Sequence, residues 1–301
     1  MNTASRDKTV GFIGLGMMGL PMAKNILKAG HPLVACDISQ ARRDTIVGLG
    51  GQSASGPADV AKRAAIVISM VDTTAQAEEV IVGPGGIIEG AQPGDVVVSM
   101  STIDPGALHA MHARLGEKGV GLIDAPVSGM EKGAIAGTLK AYVGGDAAVL
   151  EKATPVLKSM TSEIVHFGPI GQGTTMKLIN NNLCQVGWVL VAEALMLGTK
   201  AGLDPKQMVQ TILRATGNSV AFEYSAPRIL DRNFDGIRLD ISFKDLELQT
   251  QLGKSLKVPM FMTNTAQQVY SAARALGLGS EDGGATLIKV YEHLTGTTVK
   301  G

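Results

Sequence analysis

The sequence predicts an α/β protein, with an N-terminal doubly wound sheet followed by an all-α C-terminal domain that a long helix enters. Three observations lead to this prediction. Short β-rich runs alternate with longer segments as far as residue 143, as in parallel sheets whose strands are joined by helices. A glycine-rich turn follows the first run, and after residue 171 the apolar residues recur at helical spacing. The predicted domains are 1–169 and 170–301.

The predicted strands are short apolar runs bounded by turn-forming residues. Runs that are apolar at nearly every position are typical of strands buried on both faces. Alternation of such strands with helices favours a doubly wound sheet, whose ligands collect at the carboxyl ends of the strands. The runs are Val10–Ile13, Leu33–Cys36, Ile66–Met70, Val96–Ser99, Leu122–Asp124 and Leu139–Val143.

The C-terminal part is predicted to be helical. One helix covers Gln172–Lys200, and at 1.5 Å per residue it is about 42 Å long. Because so long a helix exposes apolar faces beyond the first domain, we expect a homodimer or homotetramer formed through the helical domain. Asp204 followed by Pro205 is a favoured helix start. Further helices are predicted near Ser225–Leu230, Phe243–Leu256, Asn264–Leu276 and Gly284–Leu294.

Composition and charge limit the classes of partner that are expected. The 301 residues include 27 basic and 27 acidic side chains, so no electrostatic footprint for nucleic acid is expected. The most apolar stretch, Val186–Leu197, is shorter than the roughly 20 residues of a membrane helix and contains Glu193, so no membrane span is expected. Two cysteines and five scattered histidines predict neither a disulfide framework nor a metal site. Without a secretory signal before Val10, we expect a cytoplasmic protein.

The turn after the first strand has the spacing of a dinucleotide-phosphate site, G-x-G-x-x-G between a strand and a helix. Gly14 permits the tight turn, Gly16 lets the pyrophosphate approach the backbone, and Gly19 lets helix and strand pack closely. Backbone N–H groups at the helix start then face the phosphates. A Rossmann-type domain is therefore predicted, and its cofactor-binding turn consists of Gly14, Leu15, Gly16, Met17, Met18 and Gly19.

Asp37 ends the second strand about 20 residues after the turn, where a carboxylate accepts the hydroxyls of the adenosine ribose. A carboxylate there repels a 2′-phosphate, so NAD is expected. NADP stays open because Arg42 and Arg43 lie close by. The alternative, an ordinary glycine turn beside a solvated aspartate, explains the turn, the helix and the acid only as a coincidence.

A second cluster of small and polar residues, Asp124–Ala134, follows the fifth predicted strand. At the carboxyl edge of the sheet, the Ser128 hydroxyl and the N–H groups that follow it suit a substrate carboxylate. A glycine-rich connection without function fits the same pattern.

A third cluster lies at the start of the long helix. Lys177 and Asn181 are four residues apart and share a helix face, beside Asn180. Three consecutive asparagines are unfavourable inside a helix, and such a local conflict favours a functional site over a polar patch.

Four blocks, present in the family's order and approximate spacing, resemble the β-hydroxyacid dehydrogenase family. That family includes 3-hydroxyisobutyrate dehydrogenase, tartronate semialdehyde (2-hydroxy-3-oxopropionate) reductase and 6-phosphogluconate dehydrogenase. The blocks are GFIGLGMMGLPMAKNI at Gly11–Ile26, DAPVSGMEKGAIAGTL at Asp124–Leu139, GQGTTMKLINN at Gly171–Asn181 and FKDLEL at Phe243–Leu248.

The resemblance implies hydride transfer between NAD(P) and a small β-hydroxy acid or its semialdehyde. It favours 2-hydroxy-3-oxopropionate or 3-hydroxyisobutyrate as the substrate, with L-threonate or 2-(hydroxymethyl)glutarate as alternatives. It makes Lys177 the catalytic acid/base. The implied substrate-binding residues are Ser128, Gly129, Asn180 and Asn181, and the implied cofactor contacts beyond the turn and Asp37 are Met70, Val71, Ser101, Thr102 and Lys244.

Two alternatives and one departure accompany the resemblance. A catalytically silent dinucleotide-binding module and an imine reductase share the fold, but Lys177 and Ser128 are both retained, which counts against them. The family's Ser-Gly-Gly has Met130 at its second glycine. If that backbone needs a positive φ, methionine there costs about 1–2 kcal/mol of strain.

Overall fold

The computed structural model describes residues 6–301, which form two compact units that divide between Lys177 and Leu178. The first unit is α/β and the second is all-α, which confirms the predicted fold class. The domain limits predicted from the sequence, 1–169 and 170–301, assign the whole of the long helix to the second domain.

The first unit contains a six-stranded, fully parallel sheet with the order β3-β2-β1-β4-β5-β6. The order reverses between β1 and β4, and ligands of doubly wound sheets bind at such a switch point. The predicted glycine turn follows β1 directly. The strands are β1 Val10–Ile13, β2 Leu33–Cys36, β3 Gln52–Ser53, β4 Ile66–Ser69, β5 Val96–Ser99 and β6 Gly121–Asp124.

A second, three-stranded sheet of the first unit pairs β7 with β8 antiparallel and β8 with β9 parallel. Its strands are β7 Val127–Ser128, β8 Leu139–Val143 and β9 Thr161–His166. The sequence predicts the run Leu139–Val143 as part of the doubly wound sheet. That position is wrong, because the run pairs with β7 and β9 in the smaller sheet.

Eight helices in the described part of the first unit connect these strands. They are α1 Gly19–Lys28, α2 Gln40–Gly48, α3 Pro57–Arg63, α4 Thr74–Val82, α5 Ile87–Gly90, α6 Pro105–Gly116, α7 Met130–Ala136 and α8 Ala147–Leu157.

The second unit is built around α9, which spans Gln172–Lys200 as predicted. The predicted start at Asp204 is also confirmed, because its carboxylate accepts a hydrogen bond from Gln207 N at 2.7 Å. The core of this unit includes Trp188, Leu195 and Tyr270. The remaining helices are α10 Pro205–Ile212, α11 Val220–Leu230, α12 Leu239–Ser255, α13 Phe261–Ala275 and α14 Ile288–Thr295.

By length and composition alone α9 is long and apolar enough to span a membrane, and an 18-residue window within it has a mean hydropathy of 1.3. The sequence prediction considered only the shorter stretch Val186–Leu197, which lies within this helix. Trp188, Val191 and Leu195 of the same helix are buried in the core of the helical unit. In the folded chain α9 therefore serves as a core helix.

Candidate functional site

The glycine turn is shaped by close contacts between backbone atoms. Gly14 has a φ of 91°, and a Cβ atom there would lie 2.1 Å from the Met70 carbonyl oxygen. A Cβ on Gly19 would lie 1.9 Å from the carbonyl oxygen of Gly14. At Gly16, by contrast, an added Cβ would meet no atom within 4 Å. Two glycines thus close the turn and the third leaves open space beside its backbone, which fits an approaching pyrophosphate.

A cavity of about 470 Å³ adjoins this turn within the first unit. Its lining includes Leu15, Gly16 and Met17, and Lys24, Arg42 and Glu131 contribute charged groups. The open space beside Gly16 is therefore continuous with a larger depression at the carboxyl edge of the sheet.

Asp37 fastens the turn to the end of β2. Its side chain is buried, with Oδ2 accepting from Leu15 N at 2.6 Å and Oδ1 accepting from Ser39 N at 2.7 Å. Arg42 Nη1 lies 3.9 Å from Oδ1. Burial and these bonds exclude the solvated aspartate considered as the alternative. The carboxylate stands where a ribose hydroxyl of a dinucleotide is expected.

The other cofactor residues predicted in the first unit follow β4 and β5. Met70 N donates to the Ile13 carbonyl at 2.9 Å, and Ser101 Oγ accepts from Val71 N at 2.8 Å. Ser101 is buried, and Thr102 is half-buried beside it. The ends of three neighbouring strands therefore bring these residues to the glycine turn.

Ser128 and Gly129 lie at the end of β7, where the chain enters α7. Ser128 is half-buried and pairs with Lys140 of β8. Gly129 has a φ of 129°, and Met130 follows with a φ of 56°. Met130 therefore stores the left-handed strain that its position predicted, about 1–2 kcal/mol. Strain of this kind clusters at ligand-binding segments.

Lys177 and the asparagines lie in the early turns of α9. Lys177, Asn180 and Asn181 are all half-buried. The structure places Lys177 at the end of the first unit and the asparagines in the second, where Lys244 of α12 also lies.

Asp245 orients Asn181, and Asp245 was not among the site residues predicted from the sequence. Its buried carboxylate accepts from Asn181 Nδ2 at 2.7 Å through Oδ2, and Lys244 Nζ lies 3.2 Å from its Oδ1. Because the amide nitrogen is held in this way, the orientation of the Asn181 side chain is fixed. The available signal was an acid inside the block FKDLEL, directly after the predicted Lys244.

The third asparagine has a structural role. Asn182 Nδ2 donates to Gln249 Oε1 at 2.9 Å and to Thr263 Oγ1 at 2.6 Å. Buried polar groups with hydrogen-bond partners avoid the cost of desolvation. These tertiary bonds offset the low helix propensity of Asn182, so the run of asparagines combines predicted ligand groups with one packing residue.

No group of three His, Cys, Asp or Glu side chains within residues 6–301 is arranged to hold a metal ion. The two neighbouring histidines, His109 and His112, lie on α6.

Comparison with known proteins places both units in one family. Residues 9–168 match the NAD binding domain of 6-phosphogluconate dehydrogenase, and residues 171–291 match the NAD-binding domain of NADP-dependent 3-hydroxyisobutyrate dehydrogenase. The chain belongs to the β-hydroxyacid dehydrogenase family. It is an NAD(P)-dependent oxidoreductase that acts on a CH–OH group.

Full-length relatives support this assignment. The 2-(hydroxymethyl)glutarate dehydrogenase of Eubacterium barkeri is 40% identical over 97% of both chains. The 2-hydroxy-3-oxopropionate reductase of Escherichia coli is 35% identical, over 94% of this chain and 97% of its own. The crystal structure of a 3-hydroxyisobutyrate dehydrogenase from Salmonella typhimurium matches with a TM-score of 0.86 and 28% identity, over 94% of this chain and 100% of that chain.

The glycine turn generates a first prediction. Gly19→Ala should lower the free energy of unfolding by about 2–3 kcal/mol, because its Cβ collides with backbone. Gly16→Ala should leave stability nearly unchanged but weaken NADH binding at least about 10-fold, since its methyl group occupies the open space. Gly48→Ala, which meets no atom within 4 Å, is the control for both. Denaturant unfolding and fluorescence titration with NADH measure the effects, and unchanged NADH affinity in Gly16→Ala contradicts the assignment.

The strained methionine generates a second. Met130→Gly should raise the free energy of unfolding by up to about 1 kcal/mol, because relief of the left-handed strain exceeds the entropy cost of glycine. Glu131→Gly, one position later in α7, should lower it by about 1 kcal/mol. If chemical denaturation shows both variants equally destabilised, Met130 is not strained.

Proposed function

We propose that the chain is an NAD-dependent dehydrogenase that interconverts a small β-hydroxy acid and its semialdehyde, with Lys177 as the acid/base. The observation that carries the proposal is the near full-length identity of 40% with 2-(hydroxymethyl)glutarate dehydrogenase. In the first unit, the open space at Gly16 and the buried carboxylate of Asp37 support the choice of coenzyme.

The first substrate to consider is 2-(hydroxymethyl)glutarate, ahead of 2-hydroxy-3-oxopropionate, which the sequence blocks favoured. The reductase for the latter is 35% identical, so it is the second candidate. The 2-(hydroxymethyl)glutarate molecule, 3-hydroxyisobutyrate and the reduced form of 2-hydroxy-3-oxopropionate share one skeleton. In each, a carboxylate and a primary alcohol flank a carbon that bears a variable group. L-Threonate is a further candidate of different shape.

Binding the shared part of this skeleton requires donors for the carboxylate and a fixed partner for the alcohol. In our proposal the Ser128 hydroxyl and the Gly129 N–H donate to the carboxylate. Asn181, whose amide nitrogen is held by Asp245, orients the reacting oxygen, with Asn180 beside it. The variable group of the substrate then distinguishes between members of the class.

Oxidation requires removal of the proton from the substrate hydroxyl while a hydride leaves the carbon that carries this hydroxyl. Bound NAD supplies the hydride acceptor. During oxidation the Lys177 amine takes the proton from the hydroxyl, and during reduction the ammonium returns it to the carbonyl oxygen. A solvated lysine at the protein surface is the competing interpretation, and the half-buried position of Lys177 supports the catalytic one.

The charge at Asp37 supports NAD over NADP. A 2′-phosphate beside this buried carboxylate would meet a negative charge that two backbone N–H groups already fix in place. Two cations lie nearby: Arg42 Nη1 is 3.9 Å from the same carboxylate, and Arg43 Nη1 donates to the Asp37 carbonyl. Met70, Val71, Ser101, Thr102 and Lys244 are the proposed further contacts to the coenzyme.

A cytoplasmic homo-oligomer completes the proposal. Neither Cys36 nor Cys184 is disulfide-bonded, as is typical of reducing compartments. On α9 an apolar stripe is exposed, and its members lie within about 40° on one helix face, over about 27 Å. The stripe consists of Ile179, Leu183, Leu190 and Leu197, which are between 53% and 74% exposed. Such a surface is typical of an interface between copies.

A spectrophotometric screen at 340 nm tests the proposed reaction. The wild-type chain is assayed with NAD and with NADP against 2-(hydroxymethyl)glutarate, glycerate, 3-hydroxyisobutyrate, L-threonate and L-serine. We expect turnover of at least one of these acids, with NAD preferred. Tight NADH binding without turnover of any acid contradicts the proposal.

Lys177→Ala should lower turnover of that acid by at least about 1,000-fold, because no other group replaces the proton carrier. Its Kd for NADH should change less than about twofold, since the glycine turn is untouched. Lys200→Ala, at the other end of the same helix, should match the wild type in both. Near wild-type turnover in Lys177→Ala shows that another residue moves the proton.

For the stripe, the double variant Leu183→Glu with Leu190→Glu should reduce the oligomer to a monomer, because charges disfavour burial of this face. Leu294→Glu is the control, since Leu294 is 73% exposed on α14, off the stripe. Light scattering at matched concentration measures the molar mass. A monomeric wild type, or an oligomer that survives the double substitution, rules out this interface.

A further inference from the structure

Asp124 is a fully buried carboxylate at the end of β6, and both of its oxygens bond to the start of α9. Gly171 N donates to Oδ1 at 2.7 Å, and Thr174 N donates to Oδ2 at 2.6 Å. The first N–H groups of a helix have no partner within the helix. Asp124 satisfies two of these groups at the entrance of α9, and its charge complements the positive end of the helix dipole.

The backbone around Asp124 makes this attachment rigid. Asp124 and Gly144 exchange two backbone hydrogen bonds of 2.9 Å, which tie β6 to the end of β8. A Cβ on Gly144 would lie 2.5 Å from Asp124 Oδ1 and 2.8 Å from Gln172 N. A Cβ on Gly173 would lie 2.2 Å from the Tyr142 carbonyl oxygen. Helix start, strand end and carboxylate are therefore in direct contact.

The same aspartate connects the two groups that our mechanism needs. Lys177 follows Thr174 by one helical turn, and Ser128 lies on the strand that begins shortly after Asp124 and pairs with β8. A shift of the helix start would move Lys177 relative to Ser128. We propose that Asp124 is a positioning residue, which sets the place of Lys177 relative to the substrate-carboxylate segment. This inference rests on the proposed roles of Lys177 and Ser128.

A carboxylate suits this position better than an amide does. Each oxygen accepts one N–H, so replacing either oxygen by an amino group would set a donor against a donor. Burial raises the pKa of Asp124 above its ordinary value, while the bonds from Gly171 and Thr174 lower it. The bonds thus offset part of the cost of burying the charge.

Asp124→Asn tests the inference, with the acid that the wild-type enzyme turns over. We expect kcat to fall about 10–100-fold, because misplacement of a reacting group by about 1 Å has effects of this size. The KM for NAD and the Kd for NADH should stay within twofold, since Asp37 and the glycine turn are unaffected. Rates are expressed per NADH-binding site, so any unfolded fraction does not contribute. Gly144→Ala displaces the carboxylate without removing its charge, so kcat should fall in this variant as well. It tests the inference if Asp124→Asn does not fold.

Asp146 provides the matched control. It caps α8 by accepting from Ala148 N and Val149 N, and it is exposed. Asp146→Ala should lower stability through loss of this cap but leave kcat unchanged. Wild-type kcat in Asp124→Asn, or an equal loss in Asp146→Ala, overturns the positioning role. If Lys177→Ala keeps its turnover, the proposed mechanism fails instead, so the two failures are distinguishable.

Discussion

The candidate site depends on hydrogen bonds that buried aspartates accept from neighbouring elements of the structure. Asp37 holds the glycine turn, Asp124 holds the start of α9, and Asp245 holds the Asn181 amide. Burying an unpaired carboxylate is costly, but two or more donors and a helix dipole reduce that cost. Each aspartate thereby fixes the position of a group to which our proposal gives a role: the glycine turn, the helix that carries Lys177, or the Asn181 side chain.

Buried apolar runs and the long periodic segment were the most predictable parts of the fold. The predicted bounds of β1, β2, β5 and α9 agree with the structure, and so does the Asp204 cap. Strands β3 and β7 have two residues each, which is too short for a periodic pattern. β9 escaped prediction because most of its residues are at least partly exposed, so no apolar run marks it.

The candidate site shows the same division between local and long-range information. Spacing alone predicted the turn and Asp37, because both lie within one βαβ unit. The partners of Asp124, Gly171 and Thr174, lie beyond the second sheet in the sequence. Asp245 contacts Asn181 from another helix. Pairings between distant segments leave no periodic signal in a single sequence. Only the acids themselves were visible.

A crystal structure of the chain with NADH and the unreacted hydroxy acid tests the central claim most directly. The account predicts Lys177 Nζ within about 3 Å of the substrate hydroxyl, with the substrate carboxylate on Ser128 and the Gly129 N–H. It further predicts that the Asp124 carboxylate keeps both bonds to the start of α9 in that complex. An ammonium group more than about 6 Å from the hydroxyl, with no bridging water, would contradict the account.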